Sequence, residues 1–331
     1  MKAIVQDAYG AADAVLELQE IDKPAVKDDE VRVRVHAASV HIGDWLIMRG
    51  DLYVLRLATG LLRPKQRVPG GDIAGTVEAV GNDVKRLQPG DEVFGWCQGG
   101  FAEFASAAED HFVLKPANVT FEQAAAVGGS AFTALHAVRD QAKVQPGQKV
   151  LINGASGGVG TFSVQMAKSF GAEVTGVCST RNVDTARSIG ADHVIDYTQE
   201  DFTQSGQRYD FILDVAGNRS LSDYRRALTP DGTLIPIGGP ASLSRPLKMF
   251  VVSLFVRQQG RPFVSMANSK DLVVLEELVD SGDIKPVIDR TYPLSETPEA
   301  LRYIGEGHAR GKIVIQMISP HERAGDQRGP Q

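Results

Sequence analysis

Residues Asn153 to Gly160 read Asn-Gly-Ala-Ser-Gly-Gly-Val-Gly. The apolar run Lys149-Val150-Leu151-Ile152 precedes them and predicts a buried strand. Val159, Phe162, Met166 and Phe170 follow at helical spacing. A glycine turn between strand and helix lets backbone N–H groups approach a pyrophosphate at the positive end of the helix dipole. The segment therefore predicts a dinucleotide site, with a tight turn that holds no ligand as the alternative. Read strictly, the fingerprint is Ala155-x-Gly157-x-x-Gly160, with alanine at the place of the usual first glycine.

The end of the next strand bears on which dinucleotide. Glu173-Val174-Thr175-Gly176-Val177-Cys178 runs into Ser179-Thr180-Arg181. Sites for NAD carry an acid here that accepts from the ribose hydroxyls, and an acid would repel a 2′-phosphate. No acid is present. Ser179 can hydrogen-bond such a phosphate and Arg181 can grip it with a charged fork, which predicts NADPH. The other reading of Arg181 is a solvated loop arginine.

These residues need a scaffold, and the flanking pattern supplies one. His193-Val194-Ile195, Asp210 to Val215 and Gly232 to Ile237 read as further strands, with a helix starting near Val183. Strand-helix alternation from about 121 gives right-handed crossovers and a parallel, doubly wound sheet, an α/β fold with ligand at its carboxyl edge. Before about 120 the pattern is different. Val31 to Val35 alternates apolar and basic, Gly75 to Gly81 is a second strand, and Pro89-Gly90-Asp91 turns into a third. This predicts an opening β domain of barrel type. The expected organisation is 1–120 catalytic, 121–260 dinucleotide-binding, 261–318 a return segment completing sheet and catalytic domain, and 319–331 a disordered tail. Met249 to Val256 and Arg261 to Met266 read either as core helix plus strand, or as a strand pairing across a dimer or covering the active site.

Composition narrows the function classes. The 331 residues carry a net charge of −6, which gives no broad basic surface for nucleic acid. No run approaches the roughly 18 apolar residues of a spanning helix. The start, Met1-Lys2-Ala3-Ile4-Val5, lacks a signal-peptide pattern. Two cysteines, Cys97 and Cys178, argue against a disulfide framework, so a cytoplasmic setting is expected.

Several segments together resemble the medium-chain dehydrogenase/reductases, in their zinc-free quinone oxidoreductase-like branch. They are Gly71-Asp72-Ile73-Ala74-Gly75, Pro89 to Val93, Gly154 to Gly160 with Gln165 and Lys168, Gly190 to Tyr197, and His308-Ala309-Arg310-Gly311-Lys312. The resemblance covers Met1 to about Met317 and implies a GroES-like β-barrel catalytic domain beside a Rossmann domain. It implies cofactor contacts from Ser156, Gly157, Gly158 and Val159 at the pyrophosphate, and from Tyr197 beside the adenosine. Thr133, Val215, Ile237, Phe263 and Ser265 would face the nicotinamide half, and His308, Ala309 and Arg310 the phosphates. Helix capping for Thr133 and surface charge for His308 and Arg310 are the plainer roles.

In zinc-dependent relatives the metal is held by a cysteine, the histidine of a Gly-His-Glu segment and a second cysteine. The matching positions here are His41, Gly71 and Gly129, so one donor remains where three are needed, and no metal is expected. Without a metal to stabilise an alkoxide, hydride delivery to an enone, enal or quinone is the easier reaction. The developing enolate then needs a hydrogen-bond donor, and a proton must follow.

Ser39-Val40-His41-Ile42-Gly43-Asp44-Trp45 resembles the family segment Ser-Val-Asn-Pro-x-Asp, with His41 for asparagine and Ile42 for proline. His41 can donate to the oxyanion or supply the proton; a structural histidine is the alternative. Asp44 either orients this loop or acts chemically. Tyr53 carries a hydroxyl in an expected pocket loop, or packs. Trp45, Phe101 and Phe263 line the pocket or belong to the core. The stretch Arg49 to Pro69 reads as a mobile amphipathic cover, or as a helix touching a partner or a membrane surface. The leading expectation is an NADPH-dependent reductase of activated alkenes or quinones, monomeric or homodimeric. A zinc-free carbonyl reductase and a non-catalytic NADPH-binding protein are its rivals.

Overall fold

A computed structural model describes residues 1–51, 53–238 and 265–317. The expected tail from 319, Phe263 and Met249 to Val256 lie outside the described residues. The described chain forms two compact units, divided between Gly129 and Ser130 rather than near 120. The later boundary arises because α4 (Phe121–Leu135) starts in the first unit and is broken at Gly128. No helix among the described residues is long and apolar enough to cross a membrane.

The first unit opens with β1 (Lys2–Gln6), α1 (Ala12–Val15) and β2 (Leu16–Glu20). There follow β3 (Glu30–Val40), α2 (Ile42–Arg49), α3 (Tyr53–Thr59), β4 (Asp72–Val80), β5 (Glu92–Trp96), β6 (Phe104–Ala108) and β7 (Phe112–Leu114). β3 pairs antiparallel with β4 and β6, and β4 with β5. Val31, Val33 and Val35 turn inward from β3 while Arg34 faces out, the alternation of a half-buried strand. From Ala37 to Val40 every residue is buried. The core gathers these valines with Ile4, Ile73, Phe101 and Phe112.

The second unit, from Ser130, carries β8 (Lys149–Asn153), α5 (Gly158–Ser169), β9 (Glu173–Cys178), α6 (Val183–Ser188), β10 (His193–Asp196), β11 (Tyr209–Asp214), α7 (Leu221–Ala227) and β12 (Leu228–Pro236). Its described strands are all parallel in the order β10-β9-β8-β11-β12. The order reverses beside β8, so ligand chemistry belongs at the carboxyl ends of β8 and its neighbours. Two residues of the family motifs are structural here. Lys168 pairs with Asp192 at 2.8 Å, and Gln165 exchanges hydrogen bonds with both backbone groups of Lys285.

After α8 (Ser269–Asp280) the chain returns to the first unit with β13 (Ile288–Pro293), α9 (Thr297–Gly305) and β14 (Lys312–Gln316). β14 pairs antiparallel with β3, setting Ile313 opposite Val40. The end of β3 and the starts of β4 and β14 therefore meet at one end of the sheet.

Candidate functional site

The second unit builds a cradle at the β8–α5 turn. Gly154 holds φ +94°, a conformation that favours glycine, so the turn's need is met one residue before Ala155. Ala155 is fully buried, and its methyl packs where Gly176 of β9 leaves room. The alanine in the fingerprint is thereby accommodated. A Cβ on Gly160 would lie 2.0 Å from the Gly154 carbonyl oxygen, so helix and strand approach at a distance only glycine permits. Gly157 caps α5 with no side chain over the first turn; the N–H groups of Gly154, Ala155 and Gly157 are spent on backbone carbonyls, and the orphan donors are those of the first turn of α5 from Gly158.

Asn182 links this cradle to the end of β9. Its Nδ2 donates to Ser156 Oγ at 3.0 Å and to Ser179 Oγ at 3.1 Å. Because each hydroxyl accepts from Asn182, its own proton is directed toward another acceptor, such as a phosphate oxygen. Arg181 is exposed and has no hydrogen-bond or ion-pair partner among the described residues. Asp196, at the end of β10, is held by Thr180 and Thr198, whose hydrogen bonds keep its carboxyl below the usual range. Across the cradle, Asn153 donates to Asp214 at 2.9 Å, and Asp214 accepts from Gly217 N at 2.8 Å. This buried link joins the carboxyl ends of β8 and β11. The backbone N–H groups of Val215 and Ile237 are spent on Asn153 O and Asp214 O, so those residues shape the edge by backbone position.

The first unit builds a different site at the sheet end described above. Asp72 accepts from Gly129 N at 2.9 Å and from Ser39 Oγ at 3.3 Å, and Lys312 Nζ lies 4.0 Å away. Lys312 is 2% exposed and also donates to Val40 O at 3.5 Å. Burial lowers its pKa while Asp72 opposes that shift. A Cβ on Gly128 would lie 1.9 Å from the Asp72 carboxyl carbon, which explains the break in α4 that turns Gly129 N–H onto Asp72. Gly128→Ala should therefore destabilise the protein by about 3 kcal/mol or more, readable in urea unfolding.

His41 caps the N-terminus of α2. Its Nδ1 accepts from Gly43 N at 3.0 Å, and its backbone N–H donates to Asp44 Oδ2 at 2.7 Å. His41 Nε2 is buried and has no hydrogen-bond partner among the described residues. Burial and the Lys312 ammonium push the imidazole down to about 4, with Asp72 opposing. Burial pushes the Asp44 carboxyl up to about 7, against the hydrogen bond from His41 N. Cys97, buried near Asp72, is held protonated.

The two shifts give opposite pH slopes. The His41 value is below its unfolded value, so stability is lost as pH falls from about 6.5 toward about 4, by at most about 1.4 kcal/mol per pH unit. The Asp44 value is raised, so its contribution is full below about 3.8 and is lost as pH rises to about 7. His41→Asn removes only the first slope. Its stability relative to the parent should improve on going from pH 7 to pH 5, measured by urea unfolding at both values.

Residues 27–117 match the alcohol dehydrogenase GroES-like domain family, and residues 189–315 match a zinc-binding dehydrogenase family. The chain is 33% identical to a chloroplast envelope quinone oxidoreductase homolog of Arabidopsis thaliana, over 96% of this chain and 98% of that one. This chain belongs to the quinone oxidoreductase-like medium-chain dehydrogenase/reductases. An NADPH-dependent alkenal/one oxidoreductase of the same plant is 31% identical, over 96% of this chain and 80% of that one. The solved quinone oxidoreductase of Coxiella burnetii superposes with a TM-score of 0.83 at 29% identity, covering 96% and 99% of the two chains.

For this quinone oxidoreductase-like chain, the donor set at His41, Gly71 and Gly129 does not fit zinc. One imidazole stands there, its Nδ1 is committed to Gly43 N–H, and Gly129 offers a backbone N–H already given to Asp72. The positive charge beside Asp72 is an ammonium from the chain itself.

The expected site residues divide between the units. Ser156, Gly157, Gly158, Val159, Ser179, Arg181 and Tyr197 surround the cradle and the ends of β9 and β10, with Tyr197 51% exposed. Thr133 lies on α4 beyond its break, and Ser265 Oγ meets His136 Nδ1 at 2.8 Å. His308, Ala309 and Arg310 fall in the first unit, where Asp289 accepts from Arg310 N and the side chains of His308 and Arg310 are exposed. Asp44 takes part in the capping box of α2, accepting from the His41 backbone N–H. Tyr53 is 72% exposed on α3 with the Arg56 guanidinium 4.8 Å from its ring. Trp45 and Phe101 pack with the core. Burial and the Lys312 ammonium disfavour an imidazolium at His41, which weighs against its serving as the proton source near neutral pH. Sequence reasoning did not assign Asn182, Asp214, Asp72 or Lys312. Asp72 and Lys312 stood in the family motifs without a role.

Proposed function

We propose that this protein is an NADPH-dependent reductase that transfers hydride to an activated alkene, an enone or enal, or to a quinone. The observation that carries the cofactor assignment is the β9 end. Ser179 is aimed by Asn182, Arg181 has no described partner, and the residue between them is Thr180 rather than an acid, with the Asp196 carboxylate of β10 held by Thr180 and Thr198. A 2′-phosphate is the group that suits such a pair. The residues fit the rest of the dinucleotide as well, since the first turn of α5 after the Gly157 cap has backbone N–H groups that suit a pyrophosphate. Reduced nicotinamide supplies a hydride when bound. The related alkenal/one and quinone oxidoreductases support a substrate that carries its own electron sink.

Small-molecule substrates, a reducing cytoplasmic compartment and a monomer or homodimer complete the reading. The test is the initial rate of NADPH and NADH oxidation against enones, enals, quinones and unconjugated aldehydes. Conjugated acceptors should turn over with NADPH preferred. Turnover of the unconjugated aldehydes alone favours the carbonyl reductase, and NADPH binding with no turnover favours a non-catalytic role.

A further inference from the structure

Asn182 stands where α6 begins, at the position whose side chain ordinarily accepts from the first N–H groups of a helix. It makes no such cap. Its backbone N–H donates to Ser179 O at 2.8 Å, which fixes the turn after β9, and its side-chain amide goes to two serines instead. The two Nδ2 protons reach Ser156 Oγ at 3.0 Å and Ser179 Oγ at 3.1 Å, so the donors of this amide are fully used. Asn182 is 6% exposed, whereas both serines are only half-buried. The amide thus lies behind two hydroxyls that reach solvent. A hydroxyl that accepts from Asn182 keeps one proton to give, and that proton is turned away from the amide. Ser156 belongs to the turn that leads into α5, and Ser179 to the end of β9. All three residues lie in the second unit, so one buried side chain sets the polarity of hydroxyls from two separate segments of it.

We propose that Asn182 is a positioning residue for the dinucleotide, whose amide holds Ser156 as a donor to the pyrophosphate and Ser179 as a donor to the 2′-phosphate of NADPH. The inference rests on the cofactor reading above and adds to it one side chain that governs both phosphate subsites. A phosphate oxygen only accepts, so a serine whose proton is turned away from it presents a lone pair and loses the contact. The two subsites differ in what they distinguish. The pyrophosphate is common to NADPH and NADH, so Ser156 serves both nucleotides. The 2′-phosphate belongs to NADPH alone, so Ser179 serves selection. Asn182 acts on the nucleotide through these hydroxyls. Its influence on NADH therefore runs through Ser156, and its influence on NADPH through both serines.

Titration of the full chain with NADPH and with NADH, followed by fluorescence, reads this role. Asn182→Ala should weaken NADPH about tenfold and NADH about threefold, the scale of oriented hydrogen bonds to charged groups. In the Ser156→Ala/Ser179→Ala protein the same substitution should change either affinity by less than about twofold, because the hydroxyls it directs are gone. An undiminished loss there overturns the proposal, since Asn182 would then act through the fold alone. Asn182→Asp keeps the shape of the side chain but, ionised, can only accept, which turns both hydroxyl protons inward. It should weaken NADPH more than Asn182→Ala does, and the excess should shrink once the serines are removed. Parental NADPH affinity in the aspartate variant, or an excess of unchanged size without the serines, overturns the proposal. A parent protein that prefers NADH contradicts the cofactor reading and this role with it. NADPH preference with additive losses overturns the role of Asn182 alone.

Discussion

Lys312→Met should lower the stability of the protein by about 3–5 kcal/mol, because it strands the Asp72 carboxylate without its cation. The setting makes the effect large. Lys312 and Asp72 are 2% and 9% exposed at the side chain, so water cannot substitute for the missing charge. The remaining partners of Asp72, Gly129 N–H and Ser39 Oγ, are neutral donors. Adding Asp72→Asn removes the stranded charge while retaining an oxygen that can accept from Gly129. The double variant should therefore recover a large part of the loss, with a coupling energy on the order of 2 kcal/mol in a urea-unfolding cycle. Additive losses would show that the pair is not the unit the geometry describes. The single Lys312 variant should also raise the His41 pKa toward its ordinary value, since the ammonium that disfavours protonation is gone.

The second large effect concerns the cofactor. Arg181→Ala should weaken NADPH binding by about 10- to 100-fold, the range for one charge-assisted hydrogen-bonding group, and change NADH binding by less than about threefold. The argument is local. Arg181 is exposed with no described partner, so its removal costs the fold little. Ser179 stays aimed by Asn182 and retains part of the phosphate contact. Fluorescence titration of both nucleotides measures the ratio. An equal loss for the two would contradict the assignment of Arg181 to a 2′-phosphate.

The cradle was legible because its signals are local. The strand before Asn153, the glycines after it and the missing acid beyond Cys178 all lie within one stretch of chain. Even the departure at Ala155 resolves locally, through the φ of Gly154 and the room left by Gly176. Asn182 was less visible, since an asparagine after a strand reads as loop polarity until its two serine partners are placed. The site around Asp72 is the opposite case. It joins Ser39, Asp72, Gly129 and Lys312, drawn from β3, β4, α4 and β14, and depends on strand register that no short window encodes. Lys312 heads the strand Lys-Ile-Val-Ile-Gln, whose unbroken apolar centre gives no sign that the first residue turns inward. The His41 cap depends on one backbone N–H two residues ahead, a contact that exists only once α2 begins at Ile42.

The reductase assignment is tested most directly by following the label from NADPH deuterated at C4 into the product of an α,β-unsaturated ketone, by mass spectrometry and NMR. The account predicts one deuterium at the β-carbon of a saturated ketone, with the α-hydrogen drawn from solvent. Deuterium at the carbinol carbon of an unsaturated alcohol would contradict it.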